Sequence, residues 1–163
     1  MPLKTEFDLL RDLKSAARTA PTVHVLMATI CHTLQHRLYG YNWVGFYMLD
    51  PQDSDYLVLG PFVGAQTPHK RIPLNEGICG AAVSEAKTIV VDDVNSDPRY
   101  LACSLETKSE IVAPIRVHGK IVGEIDIDSH DAARFKEEDR KLVEAIADIV
   151  GQFMEQHAPA AGA

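Results

Sequence analysis

Apolar positions recur at helical spacing near both ends of the chain and at strand spacing through its middle. Val23, Leu26, Met27, Ile30, Leu34 and Leu38 fall at steps of one, three and four, the stripe of an amphipathic helix that Thr22 can cap. Ahead of it, Thr5-Glu6-Phe7-Asp8 resembles a capping box, with Asp as the fourth residue, before a helix running to about Arg18. Ala20-Pro21-Thr22 separates the two. A terminal helix opens at Lys136-Glu137-Glu138-Asp139, whose acids suit the positive end of a helix dipole. It carries Leu142, Ile146, Ile149 and Phe153 at spacings of four, three and four.

Between these helices the pattern is that of strands. The aromatic run Trp43–Leu49 reads as a strand, Asp50–Asp55 as a turn, and Tyr56–Phe62 as its hairpin partner. Arg71-Ile72-Pro73 suits a short edge strand, because proline cannot donate to a ladder. A short helix is expected over Gly77–Ala86 and a strand over Thr88–Val91. Residues Asp92–Thr107 form a long polar connection, the kind of loop that often carries function. Two strands follow, Glu110–Val117 and Lys120–Ser129, joined by a tight turn at His118-Gly119. Consecutive hairpins favour an antiparallel sheet with helices packed on it, an α+β fold. One domain over residues 1–157 is expected, with a flexible tail over residues 158–163.

Composition narrows the functional classes. A net charge of −7, with basic residues grouped no further than pairs such as Lys70-Arg71, argues against nucleic acid or an anionic membrane as a partner. No apolar run reaches the length of a membrane span and the first residues lack an apolar signal region, which points to the cytosol. Three cysteines do not suggest a disulfide framework. The sequence contains no P-loop, no G-x-G-x-x-G and no G-x-S-x-G motif, so no cofactor is expected.

The candidate chemistry gathers around Leu101–Ile115. Cys103 lies in a polar, loop-like segment, where a packing role is unnatural and a reactive thiol is favoured. Glu110 opens the next strand. In Gly123–Ser129, three acids alternate with isoleucines, so Glu124, Asp126 and Asp128 share one face of a strand. Three carboxylates on one strand face need a reason, and a pocket lined by Cys103, Glu110, Asp126 and Asp128 supplies one. Cys31, between Ile30 and Leu34, reads as a packed core residue. Cys79 has two readings: a thiolate favoured by a helix N-terminus, or a small residue packed among glycines. His32 and His36 have the spacing of a metal pair, but surface histidines explain them as well and no metal site is expected.

The segments Asn42–Tyr47, Leu57–Phe62, Gly77-Ile78-Cys79-Gly80, Ser109–Val112 and Asp126–Ser129 together resemble the free methionine-(R)-sulfoxide reductases, which are stand-alone GAF domains. The resemblance runs in consistent order from about Thr5 to Phe153. It implies a central antiparallel sheet with helices behind and a ligand pocket in front. It also implies a catalytic cysteine at Cys103, a matching glutamate at Glu110, pocket aspartates at Asp126 and Asp128, and pocket aromatics at Trp43 and Tyr47. Of two further cysteines common in the family, one falls on Cys79 and the other, often the resolving thiol, falls on His69. Two routes for resetting Cys103 follow: attack by Cys79 and reduction by a thioredoxin-like protein, or direct reduction by a small thiol. A homodimer through the end helices is a further expectation. The reading from a different class is a GAF sensor that holds a small ligand without turnover.

Overall fold

The computed structural model describes residues 2–102 and 104–157. The chain starts with two helices, α1 (Pro2–Thr19) and α2 (Val23–Arg37). Thr22 caps α2 as expected, its side chain accepting from the Val25 amide. Helix α1 begins at Pro2, ahead of the start expected at Thr5; proline's fixed φ and missing N–H suit a first helical position.

Strands β1 (Trp43–Asp50) and β2 (Asp53–Val63) form the first hairpin. Its turn is only Pro51-Gln52, so β2 begins three residues earlier than the run of polar residues suggests. Those polar positions are exposed and pair through their backbone, which composition does not register. Next come β3 (Arg71–Pro73), α3 (Gly77–Ser84) and β4 (Ile89–Val91). The long connection contains a 3-10 turn at Val94–Ser96. Strands β5 (Ser109–Val117) and β6 (Lys120–Ser129) are joined at His118-Gly119, both with positive φ, as a twist-matched two-residue hairpin turn requires. The chain closes on α4 (Glu137–His157).

The six strands lie in the order β3-β2-β1-β6-β5-β4, and every neighbouring pair is antiparallel. The first and last long strands therefore meet in the middle of the sheet. One face is a purely apolar core in which Val44, Phe46, Ile111, Ala113, Ile115, Ile125 and Ile127 pack against α2 and α4. Helix α1 adds Leu9 and Leu13, so the apolar stripes of the end helices are used within the chain. Cys31 sits in this core, completely buried, and burial pushes its thiol up to about 12. That is the packing role its spacing suggested. The other face carries the smaller cluster of Trp43, Tyr47, Ile78, Cys79 and Val112 beneath α3.

Asp139 ties the end of the back layer together. It accepts from the Tyr41 hydroxyl at 2.7 Å and from the Lys136 amide at 2.9 Å, and pairs with Arg134 at 3.1 Å. Asp139→Ala strands the buried Tyr41 hydroxyl and uncaps α4, so urea denaturation should show a loss of about 2–4 kcal/mol.

Candidate active site

Alternation along β1, β5 and β6 sends every second side chain forward, and register decides which of them meet. Trp43 stands opposite Asp128, Gly45 opposite Asp126, and Tyr47 opposite Glu124. On the other side of β6, Glu110 stands opposite Asp128 and Val112 opposite Asp126. Four acids thus share one half of the front face, all of them buried.

The aromatic wall is built around a missing side chain. A Cβ on Gly45 would collide with the Trp43 ring, so the indole folds over that glycine. Trp43 stacks against Phe62 with ring centroids 5.5 Å apart and against Tyr47 at 6.3 Å. The polar ends of both rings are fixed by the loop between β2 and β3. Trp43 Nε1 donates to the Ala65 carbonyl at 3.0 Å, and the Tyr47 hydroxyl donates to the His69 carbonyl at 2.7 Å.

The carboxyl groups are bound to one another and to a thiol. Asp126 shares hydrogen bonds with Glu110, Asp128 and Cys79, the last at 3.5 Å. Two carboxyl groups can bond directly only if one keeps its proton, so this cluster stores acid at neutral pH. Burial raises the Asp126 carboxyl above the ordinary range, against the opposing effect of those bonds. Burial raises Glu124 further, reinforced by the charges of Asp126 and Asp128. Cys79 is held well above the usual thiol value by burial and then by Asp126, Glu124 and Glu110.

Glu124 belongs to this cluster, although the family resemblance carries only Asp126 and Asp128. It is completely buried, and neither carboxylate oxygen has a hydrogen bond of ordinary geometry. The equal alternation of Glu124, Asp126 and Asp128 was the available signal for it. Raised pKa values mean that the folded chain holds protons the unfolded chain releases. The associated stability is complete below the ordinary carboxyl value of 4.5 and is lost as pH rises through the raised folded value. Glu124→Gln should therefore match the wild type in acid and become roughly 1–3 kcal/mol more stable at neutral pH. Thermal melts across that range measure the widening gap.

The sequence-predicted residues line two cavities. A small one of about 20 Å³ is walled by Tyr47, Ile72, Cys79, Leu101, Glu110 and Asp126, among others. Its size suits a water molecule rather than a whole amino acid. A second, of about 90 Å³, is bounded by residues including Trp43, Thr67, Ser104, Thr107 and Asp128. The hydrogen-bonded carboxyl groups of Asp126 and Asp128 join the two. Cys103 lies outside the described residues, but its near neighbours Leu101 and Ser104 line the first and second cavity. On its other flank, His69 Nε2 bonds the Ala102 carbonyl at 2.8 Å. A carbonyl only accepts, so that ring nitrogen carries the proton. The larger surface clefts adjoin these cavities, sharing Gly77 and Leu101 with the first and Asn42 and His130 with the second, and their acids, such as Glu85 and Asp131, are exposed. His32 and His36 are exposed on α2. Among the described residues the group spaced to hold a metal ion is instead Cys79, Glu110 and Asp126.

This architecture is shared with known proteins. The GAF domain profile matches residues 22–154. The chain is 39% identical over 140 residues to the free methionine-R-sulfoxide reductase of Escherichia coli K12, covering 85% of this chain and 82% of that protein. It is 39% identical over 124 residues to the enzyme of the same name from Saccharomyces cerevisiae, covering 76% and 68%. The X-ray structure of free methionine-R-sulfoxide reductase from Neisseria meningitidis in complex with its substrate superposes with a TM-score of 0.87 at 34% identity, over 92% of this chain and 88% of that one. With a sheet that buries an aromatic wall beside clustered acids, and with relatives that match along most of their length, the chain belongs to the free methionine-R-sulfoxide reductases, a family of GAF domains.

Proposed function

We propose that this protein reduces free L-methionine-(R)-sulfoxide to L-methionine, with Cys103 as the nucleophile and the acids of β5 and β6 as proton source and ammonium site. The observation that carries this reading is the carboxyl cluster: buried, hydrogen-bonded to itself and walled by Trp43 and Tyr47. A free amino acid brings an ammonium group that such acids can hold, whereas a peptide residue brings only a neutral amide.

The Cys103 sulfur attacks the sulfoxide sulfur. Oxygen passes to the cysteine, a carboxyl proton assists its departure, and methionine leaves with Cys103 as a sulfenic acid. Glu110, hydrogen-bonded to Asp126, is the assigned acid, while Asp126 and Asp128 hold the ammonium. The rings of Trp43 and Tyr47 enclose the methyl-sulfur end. Negative neighbours disfavour a thiolate, so activation of Cys103 is coupled to arrival of the substrate's positive charge.

Two external thiols complete the cycle: the first displaces water from the sulfenic acid to give a mixed disulfide, and the second releases the Cys103 thiol and a disulfide. The surroundings of Cys79 favour this small-thiol route over an internal one. Buried against Asp126, Glu124 and Glu110, Cys79 is a poor source of thiolate. His69 fills the position of the family's usual resolving thiol and anchors Ala102 instead. Peptide mapping after treatment with sulfoxide and glutathione is expected to find glutathione on Cys103; a Cys79–Cys103 crosslink would restore the internal route.

Methionine release from separated R- and S-sulfoxides, with dithiothreitol as reductant, tests the function as a whole. Turnover of the R epimer is expected. Binding without turnover would instead make the chain a sensor.

A further inference from the structure

We propose that Cys79, Glu110 and Asp126 form a zinc site, and that an ion bound there closes the reductase pocket to its substrate. The Cys79 sulfur and one carboxylate oxygen from each acid lie within 4.8 Å of one another, and all three residues are buried. They come from α3, β5 and β6, so the donors sit on regular elements rather than on a loop. One thiolate with two carboxylates suits a borderline-soft ion of low coordination number, which is the preference of Zn²⁺. Bond lengths of about 2.3 Å to sulfur and 2.0–2.2 Å to oxygen place tetrahedral donors roughly 3.3–3.7 Å apart. The three side chains need to close by about an ångström.

A separate observation points to a cation. Glu124 is completely buried beside Cys79 and Asp126, with no hydrogen bond of ordinary geometry to either oxygen. No basic residue is among the groups acting on Asp126 or Glu124. Protons neutralise such a cluster only in part, whereas a divalent ion answers both its charge and its unused lone pairs. Binding expels the Cys79 proton, since the thiolate is the ligand. It also gives Cys79 a role that a one-cysteine redox cycle leaves vacant. The closing of the pocket rests on the assignment of Glu110 and Asp126 to the substrate; the ion site itself does not.

The test uses untagged, chelator-treated full-length protein titrated with Co²⁺ and then Zn²⁺. One Co²⁺ per chain should give a near-ultraviolet thiolate-to-cobalt band that persists in Cys103→Ser, vanishes in Cys79→Ser, and is bleached by Zn²⁺. Zn²⁺ should raise the apparent KM for methionine-(R)-sulfoxide and leave kcat unchanged. Asp126→Asn, nearly isosteric, should weaken Co²⁺ binding roughly 100-fold or more, since even residues that only support a ligand cost ten- to a hundredfold. It decides the matter if Cys79→Ser fails to fold by circular dichroism. Absence of the band in the wild type, its survival in folded Cys79→Ser, its loss in Cys103→Ser, or unchanged affinity in Asp126→Asn overturns the site. Zinc inhibition that lowers kcat alone overturns the competition. A chain that binds cobalt through Cys79 but turns over no sulfoxide keeps the site and loses the reductase, and active enzyme that binds no ion does the reverse.

Discussion

Cys103→Ser is expected to lower methionine release from methionine-(R)-sulfoxide by about three orders of magnitude or more, which is the scale on which removing a covalent nucleophile acts. Serine is close to cysteine in size, but its hydroxyl is a weak nucleophile toward sulfur and cannot accept oxygen to form a sulfenic acid. In the proposed mechanism, substrate binding draws on the aromatic wall and on the carboxyl groups, and the substitution leaves those residues unchanged. Calorimetry should therefore find the sulfoxide bound to Cys103→Ser with affinity near that of the wild type. Rapid turnover by this variant would remove Cys103 from the chemistry. Binding lost together with turnover would make its role structural.

The second large effect is expected at Asp126. This residue lies mid-strand on β6 between Gly45 and Val112, and its carboxyl is hydrogen-bonded to Glu110, Asp128 and Cys79. Asp126→Asn keeps the shape but cannot share a proton with Glu110, and it removes one of the charges that face an ammonium. General acid catalysis contributes roughly 10²–10⁴ in rate, so kcat/KM should fall at least about 100-fold. Stability should move the other way. Burial raises the Asp126 carboxyl above its ordinary value of 3.8, so its ionisation weakens the fold as pH rises, and the amide escapes that loss. Paired pH profiles of activity and melting temperature separate the two effects. An activity loss with equal destabilisation at every pH would point to packing damage instead.

Much of the frame could be read from residue periods. The stripe from Val23 to Leu34, the hairpin turn at His118-Gly119 and the proline-bearing edge strand at Arg71–Pro73 follow from local chemistry, and the structure contains all of them. That Glu124, Asp126 and Asp128 point the same way follows from strand geometry alone. What stands across from them does not. The pairings of Trp43 with Asp128 and Gly45 with Asp126 join the first strand to the last, separated by most of the chain, and only the closed sheet sets them. Helix α3 was legible, yet the descent of Cys79 onto Asp126 depends on how that short helix packs. Glu124 was visible in the alternation but lost significance when the resemblance carried two aspartates, and its lack of a hydrogen bond of ordinary geometry is a tertiary fact. His69 read as a missing thiol; its bond to the Ala102 carbonyl required two loops to meet.

The sheet also separates two demands that commonly conflict within one protein. Its rear side chains and three long helices supply an apolar core, with Asp139 paired to Arg134 at its end, while the clustered acids and aromatics occupy alternate positions facing forward. Positions 43, 47, 110, 126 and 128 can thus be varied as a set while positions 44, 46, 111, 125 and 127 are left alone. Since active-site residues are often chosen at the expense of stability, such replacements should on average be neutral or favourable for folding. A directed library limited to the forward positions would leave the rear core intact, which makes this chain a practical parent for receptors or catalysts that recognise other small amino acids.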